Sequence, residues 1–181
     1  MITPEERQHG TEENLPPPLY GLVLAGGKSG TAGAFAKHFE ILDEHCELAF
    51  LSSRADQAEL PEYKGFPQIL DVFTGMGPMS GILSALRACP GAAWLVVAAT
   101  LPRFDIEMVA HLVVNRNTER AVTAYLSPAD GMPDPLCAIY EPRSRELLLS
   151  CVREGITCPK RALIGLGGTR VESLTPPRGV R

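Results

Sequence analysis

No stretch of this chain is apolar for long enough to cross a bilayer. The longest such run, residues 92–99, falls far short of a spanning helix. Residues 1–14 are acidic and polar where a secretory signal would carry an apolar centre. Lysine and arginine are nowhere clustered, and 17 basic against 21 acidic residues leave a formal net charge of -4. Such a surface has no basic cluster to release counterions from a polyanion, which argues against nucleic acid as a partner. No membrane partner is expected, and the protein is expected to be cytoplasmic. The five cysteines, Cys46, Cys89, Cys137, Cys151 and Cys158, are odd in number and contain no CxxC pair. Buried thiols are therefore expected ahead of a zinc site or redox pair. No internal repeat is present.

What is there is a globular composition: 181 residues, 45% hydrophobic and 21% charged. That is enough for one compact domain burying roughly two-thirds of its unfolded surface. Residues 1–18 hold Glu5, Glu6, Glu12 and Glu13 and end in Pro16-Pro17-Pro18, which reads as a flexible acidic leader. Residues 19–168 are expected to form the domain and residues 169–181 an irregular carboxyl-terminal tail.

Within the domain, short apolar runs alternate with helical stripes, as in an α/β fold with a mostly parallel central sheet. Residues 21–25 form an apolar run closed by Gly26-Gly27. Phe35, Phe39, Leu42 and Cys46 then recur at helical spacing before residues 48–52 return to strand character. Residues 66–70 read as a short strand, and Met79, Ile82, Leu83 and Leu86 as a helical stripe behind Pro78. Residues 94–98 are apolar throughout, as in a central strand, and Asp105 is placed to cap a helix reaching about Asn115. Residues 121–126 and 136–140 read as strands, residues 143–153 as a helix and residues 162–166 as a weak strand.

A strand running straight into Gly-Gly is where open α/β sheets bind ligands, because side-chain-less residues let backbone amides approach a phosphate. A lone glycine pair is more often a structural turn, by about two to one, and Asp71 is equally a cap of the turn that follows it. The combination is more specific. Leu24-Ala25-Gly26-Gly27-Lys28-Ser29, the segment from Phe50 to Gln57, the segment from Asp71 to Leu86, and the segment from Pro135 to Tyr140 occur in order and at matching spacing. Together they resemble the MobA family of molybdenum cofactor guanylyltransferases over residues 20–165.

The resemblance implies a three-layer, Rossmann-like nucleotidyltransferase fold, and transfer of GMP from Mg-GTP to molybdopterin with release of pyrophosphate. Mg²⁺ and GTP are the cofactor and donor it implies. Carried over by position, Leu24, Ala25, Gly26 and Gly27 meet the nucleotide, Ser52 lies near the guanine and Asp71 hydrogen-bonds the nucleoside.

Three departures weigh against catalysis. In the family the glycine loop continues into an Arg and a Lys that hold the triphosphate; here the continuation is Gly30-Thr31-Ala32-Gly33-Ala34-Phe35-Ala36-Lys37. The segment is also shorter than the family's by roughly a dozen residues, a change that loops tolerate. Thr100, two residues before Pro102, stands where the family places a Mg²⁺-binding Asp, and a neutral hydroxyl is a poor ligand for a hard dication. Residues 171–181 lack the family's asparagine. No residue is therefore assigned to catalysis or to a metal.

The first reading is a catalytically degenerate relative that keeps a nucleotide or pterin site and works by binding, or through a protein partner in cofactor delivery. The alternative is an active nucleotidyltransferase rebuilt around Lys28 or Lys37 and a carboxylate such as Asp105. A third is an assembly subunit for which nucleotide is irrelevant. His38 and His45 lie too far apart in sequence for a usual metal pair, and His9 and His111 have no partner in sequence.

Overall fold

A computed structural model of the chain describes residues 15–25 and 32–177. Its elements are β1 (Leu19–Leu24), α1 (Ala32–His45), β2 (Leu48–Ser53), β3 (Gln68–Leu70), α2 (Pro78–Ala88), β4 (Ala93–Ala98), α3 (Ile106–Val114), β5 (Val122–Leu126), β6 (Pro133–Tyr140), α4 (Ser144–Arg153), α5 (Pro159–Leu166) and β7 (Val171–Leu174). Seven strands join in one sheet in the order β3-β2-β1-β4-β6-β5-β7. The pairs among β3, β2, β1 and β4 are parallel, as is β5 with β7, while β6 runs antiparallel to both its neighbours.

The period of two along each strand divides the core into two layers. On β4, Leu95 and Val97 face the layer that holds Phe35 and Leu42 of α1 and Met108, Val109 and Leu112 of α3. Trp94 and Val96 face the opposite layer, with Ile82, Leu83 and Leu86 of α2, Leu148 of α4 and Leu163 of α5. β4 is buried along its whole length because helices cover both of its faces, which is why its sequence is apolar rather than alternating. Each such leucine, taken out of water, contributes about 1.5–3 kcal/mol. The expected three-layer α/β architecture is therefore the one observed. Among the described residues, no helix is long and apolar enough to cross a membrane.

Three expectations need correction. Residues 162–166 belong to a helix, not a strand: Pro159 at the first helical position, where no amide is needed, starts α5, and Ala162 and Leu163 bury its inner face. The segment after Gly168 is not irregular throughout, because Val171–Leu174 adds β7 in parallel beside β5. Its polar positions hid a strand that pairs with β5 and buries Val171. The cysteines also divide: Cys137 is buried, Cys46, Cys89 and Cys151 are partly so, and Cys158 is exposed. The amino-terminal residues 1–14 and the glycine-loop residues 26–31 lie outside the described residues.

Candidate functional site

The chain leaves β1 toward β2 and β3 on one side and returns to β4 on the other, so the carboxyl ends of β1 and β4 flank the point where strand order reverses. Crevices at such points are where open α/β sheets bind ligands. Here it is a cleft of about 530 Å³, a volume suited to a small organic ligand. Leu24 and Ala25 follow from β1, Ser52 from β2, Asp71 from the end of β3, and Ala98 and Thr100 from β4; Pro78, Ser80 and Gly81 of α2 close one wall.

The polar centre is a pair. Ser52 Oγ donates to Asp71 Oδ1 at 2.7 Å, while the Asp71 amide donates to the Ser53 carbonyl at 2.9 Å. Burial pushes the Asp71 carboxyl up from its usual range, against the pull of the Ser52 hydrogen bond and of Arg54. The other Asp71 oxygen has no partner among the described residues, so it can accept a hydrogen bond from a ligand.

Neighbouring contacts hold this pair in place. Tyr63 Oη donates to the Ala25 carbonyl at 2.9 Å, tying residues 54–67 to the end of β1. Burial raises its phenol, which keeps the donor proton in place. Ser53 Oγ donates to Gln68 Oε1 at 2.6 Å, and Gln68 Nε2 donates to the carbonyls of Ala58 and Tyr63, both at 3.2 Å. Opposite, Ser84 Oγ donates to the Ser80 carbonyl and accepts from the Val72 amide, which pins the turn after Asp71 to α2. Gly81 lets α2 come this close: a Cβ there would lie 2.4 Å from Ser52 Oγ and 2.7 Å from Leu24 Cδ2.

The rim carries charge. Arg54 Nε and Nη2 donate to the two carboxylate oxygens of Asp56 at 3.0 and 3.1 Å, which holds the Asp56 carboxyl below its usual range and raises the guanidinium. Both side chains are exposed, so this pair adds little stability.

Leu24, Ala25, Ser52 and Asp71 are thus brought together, with Thr100 beside them; Gly26, Gly27 and Lys28 lie outside the described residues. Lys37 and Asp105 are not in the cleft. They border a separate depression with Glu40, Ile41 and Glu44, and Asp105 Oδ1 accepts from the Met108 amide as the cap of α3. His38 stacks on Phe104 with its Nε2 3.2 Å from the Leu101 carbonyl, and His45 Nδ1 lies 2.9 Å from the Ile41 carbonyl. Sequence reasoning missed Arg54, Tyr63 and Gly81. Only Gly81 carried a signal, as a glycine inside an apolar helical stripe.

Among the described residues of the cleft, few groups are offered to Mg²⁺. Asp71 shares an oxygen with Ser52, Asp56 is held by Arg54, and Thr100 offers a neutral hydroxyl. Among the described residues no three His, Cys, Asp or Glu side chains gather to hold a metal.

Comparison with known proteins places this geometry. The family model of the MobA-like NTP transferase domain matches residues 21–165. A molybdenum cofactor biosynthesis bifunctional protein of Synechocystis is 33% identical over 170 residues, covering 87% of this chain and 49% of its own length. The "probable molybdenum cofactor guanylyltransferase" of Clostridium perfringens is 29% identical over 139 residues, covering 70% of this chain and 67% of its own. The chain thus spans about half to two-thirds of the length of these relatives. Molybdopterin-guanine dinucleotide biosynthesis protein A of Archaeoglobus fulgidus superimposes with a TM-score of 0.66 at 21% identity, over 86% of this chain and 83% of that one, which is a likeness of fold.

Proposed function

The chain belongs to the MobA-like NTP transferase family, and from that premise we propose that its cleft is a nucleoside site that no longer supports efficient nucleotidyl transfer. The protein then acts in molybdenum cofactor maturation by holding a guanine nucleotide or a pterin, or by presenting it to a partner protein. The supporting observation is the coexistence, in one cleft, of the Ser52–Asp71 pair with Thr100. Asp71 keeps an acceptor oxygen for the N–H or O–H groups of a nucleoside, while the position expected to hold the metal carries a hydroxyl.

Departure of pyrophosphate develops charge that fixed cations must meet, and losing one preorganised group typically costs about two to three decades in rate. Loss of both clamp and metal carboxylate leaves little turnover. The bifunctional Synechocystis relative, about half of which lies beyond the aligned region, is consistent with a domain of this kind working beside another activity of the same synthesis.

The test is GMP transfer from Mg-GTP to molybdopterin, run beside calorimetric titration with guanosine. Binding with transfer at least about 10⁴-fold below an ordinary guanylyltransferase supports the reading; transfer at an ordinary rate overturns it. The rebuilt-site alternative is weakened by the placement of Lys37 and Asp105 outside the cleft. It now depends on Lys28, and a Lys28→Ala variant that abolishes measurable transfer would restore it.

A further inference from the structure

We infer that the outward face of α3, with the groove between it and α1, docks a basic amphipathic helix of a partner protein. This face lies in the layer opposite α2, which walls the cleft, so the inference stands whether or not the cleft holds a nucleoside. It begins in the sequence of α3. Met108, Val109 and Leu112 turn inward and are buried. The helical period then sends Ile106, Ala110 and Val114, at i, i+4 and i+8, to the outside. Ile106 is 52% exposed and Val114 83%. A helix on a globular surface ordinarily presents polar groups there, as α4 does with Glu146, Ser150 and Arg153. Of the nine residues of α3 only Glu107 and His111 are polar. The helix therefore shows water an apolar stripe about 12 Å long, in which the small Ala110 leaves room for an anchoring side chain between two branched ones.

Charge selects the occupant. α1 packs beside α3, and the depression of about 470 Å³ between them brings Glu40, Glu44 and Lys37 of α1 next to Ile106 and Glu107. Asp105, also on its border, is already the cap of α3. Among the described residues, no ion pair engages Glu40, Glu44, Glu107 or Lys37. An apolar stripe bordered by three carboxylates and one ammonium is complementary to a helix whose own apolar stripe is flanked by lysine or arginine. Such a helix lies in a groove with anchors three and four residues apart. A second copy of this chain would bring the same acids face to face, and an anionic lipid surface or a nucleic acid would meet its own sign, so like charge disfavours each of them.

The experiment is fluorescence anisotropy of a labelled synthetic helix titrated with the full chain near physiological salt. The peptide has about 18 residues, with leucine along one stripe and lysine on both flanks. Saturable binding is expected, weakened about tenfold by Val114→Ser and severalfold by Glu40→Gln combined with Glu44→Gln, which should also flatten the salt dependence. These substitutions change exposed side chains, and an unchanged melting temperature checks that the variants fold. A peptide of the same composition with its leucines scattered, and one with glutamate in place of lysine, should each bind at least about tenfold more weakly. No saturable binding by the first peptide, equal binding by either control, or indifference to either set of substitutions overturns the inference. So does self-association of the chain that Val114→Ser abolishes in sedimentation, which would make a second copy the occupant. Failure of guanosine to bind, with the peptide still bound, overturns only the nucleoside reading.

Discussion

The two ends of the same sheet treat charge in opposite ways. At the amino ends of β1 and β4, Arg116 donates from Nε and Nη2 to the two oxygens of Glu141 at 2.6 and 2.9 Å, and Nη2 also reaches the Pro17 carbonyl at 2.9 Å. The Glu141 side chain is 1% exposed and that of Arg116 11%. Beside them Asn117 Nδ2 donates to Glu172 of β7 at 2.8 Å, and Arg120 to the Thr169 carbonyl at 2.7 Å. At the carboxyl ends, the half-buried Asp71 is met by one serine hydroxyl, across from apolar walls. Among the described residues, the first end meets its buried charges with internal partners, whereas the second leaves one Asp71 oxygen without one. The proposed site thus lies at the end whose charge is less fully paired.

The strongest way to break this contrast is Arg116→Ala. Glu141 would remain buried without its counter-charge, at a cost of about 3–5 kcal/mol read as a lowered urea midpoint, with guanosine binding by the folded protein kept. Replacing both partners by Met and Leu should recover most of that loss, because removing the pair together strands no charge. A loss below about 1 kcal/mol for the single variant would erase the contrast. Next in size is Gly81→Ala at the opposite pole. The new methyl would press on Ser52 Oγ and Leu24 Cδ2, for about 1–3 kcal/mol of destabilisation. Here binding should fall together with the melting temperature, unlike in Arg116→Ala.

The difference between the poles was only partly legible in the sequence. The apolar run of β4, the stripe of α2 and the Asp105 cap announce themselves because one element's own periodicity or chemistry decides them. Leu24, Ala25, Ser52 and Asp71 were legible through resemblance, and they do converge on one cleft. Arg116 with Glu141, and Tyr63 with Ala25, were not, since each joins residues far apart in sequence and neither partner alone has a pattern. β7 went unread because its four residues, paired with β5, lack an apolar run. α5 was misread because a short apolar run fits either period; the deciding signal was Pro159 at its start.

Ser52→Ala sharpens the recognition side. Ser52 is buried and its hydroxyl serves Asp71, so its removal should cost about 1 kcal/mol, roughly fivefold in guanosine affinity by titration. A ligand held only by the apolar walls would be indifferent to the change.

The smallest expected effect, and the one that tests whether Asp71 is kept for a ligand and not for the fold, is the pH dependence of Asp71→Asn. Burial is the largest influence on the Asp71 carboxyl and raises it, outweighing the Ser52 hydrogen bond and the Arg54 charge. A carboxyl raised on folding holds its proton more tightly in the native than in the unfolded chain. Native stability therefore declines as pH climbs from the unfolded value through the raised folded one, and stays at the lower level above it. Asparagine does not titrate, so the variant should gain stability relative to the parent as pH rises above the ordinary carboxylate range, in urea midpoints taken at each pH, while losing guanosine affinity at neutral pH. At the other pole Glu141→Gln should instead lose stability, because it removes the charge that Arg116 meets inside the fold. If Asp71→Asn instead lost stability as pH rose, Ser52 and Arg54 would be satisfying the carboxylate fully, and the two ends of the sheet would be alike.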